Sequence, residues 1–117
     1  MNLEEIVSQI KAHSRIGEAG MILCHHGIVR ETSRDGRKVS MIKVKVNPEA
    51  LTSIISEIKS RTGIIEVLAE LNEGNLTVGE DIMLVAVAGD IREHVFPGLQ
   101  NLVQQIKQQI TEEEEII

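Results

Sequence analysis

The feature that most constrains the fold of this 117-residue chain is the run from Ile82 to Ala88, IMLVAVA, which contains no polar residue. A strand of this composition has no face suited to water, so it belongs inside a sheet with neighbours on both sides. We therefore expect residues 82–88 to form a central strand. The remaining strands must then be arranged around it.

The rest of the chain alternates between helical and strand-like patterns. A helix is predicted at 2–13 with Asn2 as its N-cap, and a second one opens at Asn47-Pro48 and stops at Gly63. A third is predicted from an Asp90 cap to about residue 110, containing Pro97. The predicted strands are 21–30, 38–46, 64–71 and 82–88, with Leu76 to Val78 as a candidate short strand.

The resulting order, α-β-β-α-β-β-α, predicts an α+β protein with a mainly antiparallel sheet and flanking helices. No linker or repeat divides the chain, so we expect one domain over residues 1–117. Its last residues, TEEEEII at 111–117, carry a run of like charge. We expect this acidic tail to be frayed and flexible.

Composition excludes several classes of function. Phe96 is the only aromatic residue, so nucleic-acid recognition by base stacking is not expected, and a pI near 5.2 also argues against it. Cys24 is the only cysteine and no histidine spacing fits zinc, so neither a metal site nor a cofactor is predicted. The chain lacks a signal-peptide pattern and any run near the ~18 apolar residues of a membrane span. We expect a cytoplasmic protein.

Six of the twelve Lys and Arg residues lie between Gly20 and Lys45, in a chain with a formal net charge of −6. The stretch is predicted to be two strands joined by a turn at Asp35-Gly36, a hairpin signal. One interpretation is a phosphate or carboxylate site formed by Arg30, Arg37 and Lys38. The other is a solvated turn with an edge strand kept soluble by lysines. Composition alone favours the second.

Four other polar or reactive residues have a functional and a structural interpretation. His25 and His26 are adjacent on a predicted strand, so they face opposite sides and cannot chelate one metal together. In the functional interpretation one of them is a base or a ligand and the other is structural. The structural interpretation, a pair of partly buried polar residues, is favoured. Cys24 has apolar neighbours and is predicted to be an inert buried thiol. Lys107 by itself is typical of a surface lysine, although proximity to the basic stretch would lower its pKa and fit it for catalysis.

Four motifs in order resemble the large, catalytic subunit of molybdopterin synthase, the MoaE family. They cover roughly residues 15–110, and the spacing from the third motif to Lys107 needs no gap. The matching segments are the strand Gly20 to Arg30, the loop Gly36 to Val39, the turn GNLTVGE at 74–80, and the strand 82–88 followed by Arg92 and Phe96.

This resemblance implies an α/β hammerhead fold, usually found as a homodimer in which each subunit binds one small ubiquitin-like sulfur carrier. It implies that the thiocarboxylated tail of the carrier enters a pocket and that sulfur is transferred twice to cyclic pyranopterin monophosphate, giving the dithiolene of molybdopterin. The phosphate of that substrate agrees with the basic stretch. Arg30 and Arg92 correspond to binding arginines of the family, and Lys107 to its helix lysine.

The sequence also departs from the family pattern. Leu71-Asn72 stands where the family usually has a His-Arg pair, and Ile91 replaces the histidine of a second such pair. Glu114 falls where a second active-site lysine is expected. A carboxylate there would repel both a phosphate and a thiocarboxylate.

Two functions from different classes follow. The first is a sulfurtransferase of the molybdopterin synthase type, with Arg30, Arg37, Lys38 and Arg92 binding phosphate and Lys107 as the catalytic residue. The second is a non-catalytic module that binds a phosphorylated pterin or a carrier-type partner. A structural dimer without a small-molecule site is a third and weaker alternative.

Overall fold

The computed structural model describes all residues from 1 to 117. The helices are α1 (Leu3–Lys11), α2 (Pro48–Lys59) and α3 (Arg92–Gln105). The strands are β1 (Met21–Ile28), β2 (Met41–Val46), β3 (Ile64–Leu71), β4 (Gly74–Thr77), β5 (Asp81–Gly89) and β6 (Thr111–Ile116). The α+β class is confirmed and every strand pair is antiparallel. The predicted order lacked β6, whereas β4 overlaps the candidate short strand predicted at Leu76 to Val78.

The first sheet has the strand order β1-β5-β3, with β5 at its centre as expected. Residues Met83 to Ala88 are all completely buried. Alternate side chains of β5 enter two different apolar clusters: Val85 and Val87 pack on the side of α3, and Ala86 packs on the side of α1. Directly opposed residues of β1 and β5 point to the same side of the sheet. A residue of β1 therefore faces α3 when its partner on β5 faces α3.

The predicted hairpin between β1 and β2 is wrong, because the two strands lie in different sheets. Beyond a register shift after Gly27, Val29 exchanges backbone hydrogen bonds of 2.9 Å with Gly79 and Glu80. These bonds lead the chain away from the first sheet. The Asp35-Gly36 signal produces only a local turn, closed by an isolated bridge between Thr32 and Lys38.

The second sheet has the order β4-β2-β6, so β2 is its central strand and not an edge strand. The predicted alternation of β2 is confirmed: Ile42 and Val44 are buried, whereas Lys43 and Lys45 are exposed. The lysines are therefore flanked by strands on both sides. The interpretation of these lysines as residues that keep an edge strand soluble is therefore wrong.

The acidic tail is also a strand, β6, which pairs with β2 from Thr111 to Ile116, so the predicted frayed tail is wrong. In this register Glu112 lies opposite Lys45, and Glu114 lies opposite Lys43. Directly opposed residues share one face of a sheet, and opposite charges there are favourable. The lysines of β2 thus offset the repulsion among the glutamates, which was the reason to expect a frayed tail.

Two apolar clusters form the core. The larger one lies among α2, α3 and the inner faces of both sheets, and includes Ile58, Val85, Leu102 and Ile106. The smaller one lies under α1, where Ile6 and Ile10 cover the opposite face of β5. None of the helices has the length and apolar composition needed to cross a membrane.

The predicted caps of the first two helices are confirmed. The side chain of Asn2 accepts a hydrogen bond from the Glu5 N–H, and that of Asn47 accepts one from the Ala50 N–H. The Asp90 cap of α3 is wrong: Ile91 has the extended backbone of the N-cap, one residue later. Asp90 instead accepts a hydrogen bond from the Ile91 N–H.

Candidate functional site

An open cleft of about 880 Å³ lies where the connection between β1 and β2, a π-helical turn (Ile106–Ile110) and β6 meet. Four cationic side chains line it: Arg30, Arg34, Arg37 and Lys107. The chain as a whole is acidic, with a formal net charge of −6. Positive charge gathered in one concave surface of such a protein attracts a small anion.

Hydrogen bonds within the β1–β2 connection hold its arginines at the cleft. The hydroxyl of Ser33, which is buried, donates to the Asp35 carboxylate and accepts from the Arg37 backbone N–H at 3.0 Å. Asp35 also accepts from Arg37 Nε at 3.0 Å. The hydrogen bond from Ser33, with a smaller contribution from Arg37, lowers the pKa of Asp35. Asp35 therefore stays ionised and keeps Arg37 in place.

The other two arginines of this connection are free of carboxylates. Arg30 Nε donates to the Thr32 carbonyl oxygen at 2.8 Å, which orients the guanidinium without neutralising it. Neither Arg30 nor Arg34 has a carboxylate oxygen within 4.0 Å. A guanidinium in this state can donate two parallel hydrogen bonds to a phosphate.

Lys107 is positioned by the π-helical turn that follows α3. Ile106 and Ile110 are buried on either side of it and anchor the turn in the core. Thr111 closes the turn by donating its hydroxyl to the Ile106 carbonyl oxygen at 3.1 Å. Such turns are rare and are found frequently at functional sites. Here the turn places the lysine at the cleft, facing β6.

Lys107 Nζ donates to both carboxylate oxygens of Glu113, at 2.8 Å each. The register of β6 explains this contact, because Glu113 lies opposite Val44, on the inner face of the sheet. Glu115 lies opposite Ile42, lines the same cleft and has no ion-pair partner. Glu114, which stands where the family pattern has a second active-site lysine, lies on the outer face with Lys43. The acidic residues that line the cleft are therefore Asp35, which pairs with Arg37, together with Glu113 and Glu115.

His25 also lines the cleft, although it was not among the site residues predicted from the sequence. Its partner on β5 is Val85, so it faces α3, while His26 faces the other side and bonds Asp81 at 2.6 Å. The prediction that the two histidines face opposite ways is confirmed. Burial, the charge of Lys107 and that of His26 lower the pKa of His25. The strand alternation gave the orientation of His25, but only the fold brings Lys107 beside it.

A second, apolar groove of about 370 Å³ continues from the cleft along α3. It shares His25, Val103 and Gln104 with the cleft. Phe96, half exposed, lies in its wall together with Leu99. The cationic cleft therefore opens onto a neighbouring apolar surface.

The structure brings together three of the five residues predicted from the sequence: Arg30, Arg37 and Lys107. Lys38 follows Arg37 directly but does not line the cleft. Arg92 is exposed at the start of α3, where its Nε lies 3.2 Å from a carboxylate oxygen of Glu93. It too lies outside the cleft of this chain.

Comparison with known proteins identifies the family. A family model described as MoaE protein matches residues 1–109, nearly the whole chain. The chain belongs to the MoaE family. An uncharacterized protein of Methanocaldococcus jannaschii is 33% identical over 95 residues, which span 78% of this chain and 80% of the relative. Membership of this family supports a role in molybdenum cofactor biosynthesis.

Solved structures share the MoaE fold at low sequence identity. Molybdopterin synthase from Staphylococcus aureus superposes with a TM-score of 0.79 at 21% identity, covering 99% of this chain and 85% of the other. A complex of subunits 1 and 2 of the molybdopterin-converting factor from Helicobacter pylori gives a TM-score of 0.74 at 14% identity, covering 100% and 80%. These likenesses show a common fold.

The positions at which this MoaE protein departs from the family pattern lie outside its cleft. Leu71 packs against the larger core cluster, and the Asn72 side-chain amide donates to the Asp81 carbonyl oxygen at 2.6 Å. Ile91 is exposed at the start of α3, and Glu114 is on the outer face of β6. None of these four side chains alters the cationic lining of the cleft within one chain.

Proposed function

We propose that this protein is the large subunit of a molybdopterin synthase, which transfers sulfur from a thiocarboxylated carrier protein to cyclic pyranopterin monophosphate. The observation that carries the proposal is the convergence of Arg30, Arg37 and Lys107 on one cleft from distant parts of the chain. A phosphorylated pterin is an anion attached to a flat ring system. The cationic cleft and the apolar groove beside it match those two parts.

Phosphate binding is proposed for Arg30 and Arg37, with the free guanidinium of Arg34 as an additional donor. Because Lys38 and Arg92 lie outside the cleft, they reach the same ligand only if a second copy of the chain supplies them. A homodimer is part of the proposal for this reason. So is a cytoplasmic location, where the carrier and the pterin would be available together.

Lys107 is proposed as the catalytic residue. An ammonium group in a partly desolvated cleft stabilises negative charge that develops on an oxygen or on a leaving phosphate. Its side chain is 41% exposed, whereas that of Glu113 is only 20% exposed, so the lysine can be reached from the cleft. Glu113 holds the ammonium in position until a ligand arrives.

The partner in this proposal is a small sulfur carrier. The Helicobacter pylori relative in the comparison is a complex of two subunits of the molybdopterin-converting factor, which supports a partner of this kind. The cleft is open to solvent. With the pterin at the His25 end of the apolar groove, the part around Phe96 and Leu99 offers a surface for an extended peptide tail. The Gln100 and Gln104 side chains at that groove can hydrogen-bond a peptide backbone.

A second candidate function is a binding module that holds the pterin or the carrier without transferring sulfur. One observation favours it: both oxygens of Glu113 already neutralise Lys107. Glu115 adds a second, unpaired carboxylate to the same cleft. These charges oppose the entry of a thiocarboxylate.

A reconstituted reaction separates the two candidates. The protein is mixed with thiocarboxylated carrier and cyclic pyranopterin monophosphate, and the dithiolene product is measured. We expect product from the wild type and a loss of at least about 100-fold in K107M. The control K11M removes an exposed lysine of α1 and should leave the rate unchanged. Binding of both components without product would establish the binding module instead.

A further inference from the structure

His25 is the only titratable side chain that borders both the cleft and the apolar groove. It has neither a hydrogen-bond partner nor an ion-pair partner. It is half buried, and neither ring nitrogen is within hydrogen-bond distance of another group. Its orientation is fixed by β1, where it pairs with the fully buried Val85. An imidazole held in place without an internal partner is free to bond a ligand.

The imidazole of His25 lies against Gly27. Gly27 lies two residues after His25 on the same face of β1, and a Cβ atom at this position would lie 3.5 Å from His25 Nε2. The ring therefore lies along the strand, toward the end that leads to Arg30. This places His25 between the arginines of the β1–β2 connection and the lysine of the π-helical turn.

The surroundings of His25 keep the ring neutral. Lys107 faces it from the π-helical turn, with Glu113 of β6 bound to that lysine, and His26 adjoins it on β1. The neighbouring residues of β5 and α3 (Val85, Val103 and Gln104) carry no charge. Burial first, and then the charge of Lys107, lowers the pKa of His25. At neutral pH the ring can therefore accept a proton.

Sulfur transfer from a thiocarboxylate requires such an acceptor. When the carrier's sulfur bonds to a carbon of the pterin precursor, a carbon–oxygen bond of that carbon breaks and its electron pair leaves on the oxygen. The carrier's carbonyl carbon remains attached to the sulfur as a thioester. Water must then add to the carbonyl carbon. A C–O bond forms and the C–S bond breaks, its electron pair stays on sulfur as a thiolate, and the carrier leaves as a carboxylate. The proton lost by the water needs a base. The hydrolysis involves no oxidation or reduction, so it needs no further reactant.

We propose that His25 is this base: a catalytic residue that takes the proton from the water that cleaves the carrier–pterin thioester. The inference rests on the proposed function. Lys107, on the other side of the reacting carbonyl, stabilises the oxyanion formed when water adds. The proton then leaves His25 for solvent through the open mouth of the cleft.

The test is a single-turnover reaction with H25Q, which keeps a polar side chain of similar reach but cannot take up a proton. We expect dithiolene formation to slow by about 100-fold. A covalent carrier–pterin adduct should accumulate, visible by intact-protein mass spectrometry, because sulfur attack continues while its hydrolysis is slow. H26Q, on the opposite face of β1, should react as the wild type does and accumulate no adduct.

A second measurement does not depend on catalysis. The four histidines are titrated by NMR in the wild type and in K107M. We expect the pKa of His25 to be below the ordinary histidine value and to rise in K107M, as removal of the nearby positive charge requires. An unchanged pKa in K107M would overturn the proposal, because the two side chains would then not share the cleft electrostatically.

The outcomes distinguish this inference from the proposed function. If the wild type forms no dithiolene, the proposed function fails and the role of His25 fails with it. If the wild type is active and H25Q turns over at the same rate without an adduct, only the role of His25 is overturned. Slow turnover of H25Q with an accumulated adduct supports both.

Discussion

Glu113 determines how Lys107 can act. The two side chains form a bidentate contact of 2.8 Å at the edge of the cleft, so any anion that reaches the lysine must compete with a carboxylate of the same protein. The cost of displacing Glu113 lowers the affinity of the cleft for anions in general. A ligand with several anionic or polar groups, held also by Arg30 and Arg34, overcomes that cost best.

We predict that E113Q binds inorganic pyrophosphate about three- to tenfold more tightly than the wild type, because Lys107 is then free and one negative charge is gone. Isothermal titration calorimetry at low salt measures the difference. The matched control is E114Q, which removes the same charge from the outer face of β6. Equal effects of the two variants would mean that net charge, and not the contact with Lys107, controls binding.

Glu66 is a structural carboxylate away from the cleft. Burial alone would raise its pKa, but hydrogen bonds from Lys59 and from the Val67 N–H outweigh burial and lower the pKa below its ordinary value. The unfolded chain therefore binds a proton more readily than the folded one. The stabilisation is complete above the ordinary pKa of a glutamate, and it is lost as the pH falls through the folded-state pKa.

We accordingly predict that E66Q lowers the free energy of unfolding by about 1 kcal/mol at pH 7. The difference from the wild type should shrink in urea titrations as the pH is lowered to about 3. E70Q, an exposed and unpaired glutamate on the same face of β3, serves as the control and should change stability little at any pH. A cost of E66Q that is independent of pH would contradict the role given to its ionised form.

Among the elements, β6 shows most clearly where sequence reasoning was wrong. Four consecutive glutamates predict repulsion and fraying, and that argument considers only neighbours along the chain. The strand forms because β2 offers Lys43 and Lys45 opposite Glu114 and Glu112, a pairing between distant segments. The alternation of β2 was predicted correctly, but nothing local indicates which strands lie beside it.

Hydrogen exchange followed by mass spectrometry tests β6 directly. We predict that backbone amides of residues 111–116 that bond β2 are protected well beyond the exchange time of an unstructured peptide. Truncation after Ile110 should accelerate exchange in β2 as well, since it removes one of that strand's two neighbours. Complete exchange of the C-terminal peptide at the unstructured rate would show that the tail is frayed after all.

The junction between α2 and β3 depends on Gly63. Its φ of +80° lies in the left-handed region, and an added Cβ atom would collide with the ring of His94 and the carboxylate of Asp90. We predict that G63A costs about 3 kcal/mol of stability in urea unfolding, from the combined backbone strain and collision. G36A, at φ +86° with open space around it, isolates the backbone term and should cost about 1 kcal/mol. Equal costs would contradict the collision.

For the molecule as a whole, the central strand, the antiparallel class and the helix caps at Asn2 and Asn47 were predictable, because each depends on local pattern. The resemblance to the MoaE family added the correct fold. The pairing of strands was not predictable in the same way: the Asp35-Gly36 signal is real as a turn, yet the strands around it join different sheets. Contacts across sheets depend on the packing of the complete chain.

The site was only partly predictable, because some of its contacts depend on the packing of the complete chain. Arg30, Arg37 and Lys107 were selected from the sequence, and the fold places them on one cleft. His25 and Glu113 were missed, because their importance lies in contacts with Lys107 that no spacing along the chain reveals. Arg92 and Lys38 were selected on the resemblance and the basic stretch, and they lie outside the cleft of one chain.

In the proposed function a single cleft binds the phosphorylated pterin through Arg30, Arg37 and Lys107. A crystal structure of the protein with cyclic pyranopterin monophosphate tests it most directly. We predict that the phosphate is bound by the guanidinium groups of the β1–β2 connection, that the pterin lies beside His25, and that Glu113 is displaced from Lys107 or shares it with the ligand. A pterin bound on another surface, with the Lys107–Glu113 contact intact and the arginines unoccupied, would contradict the account.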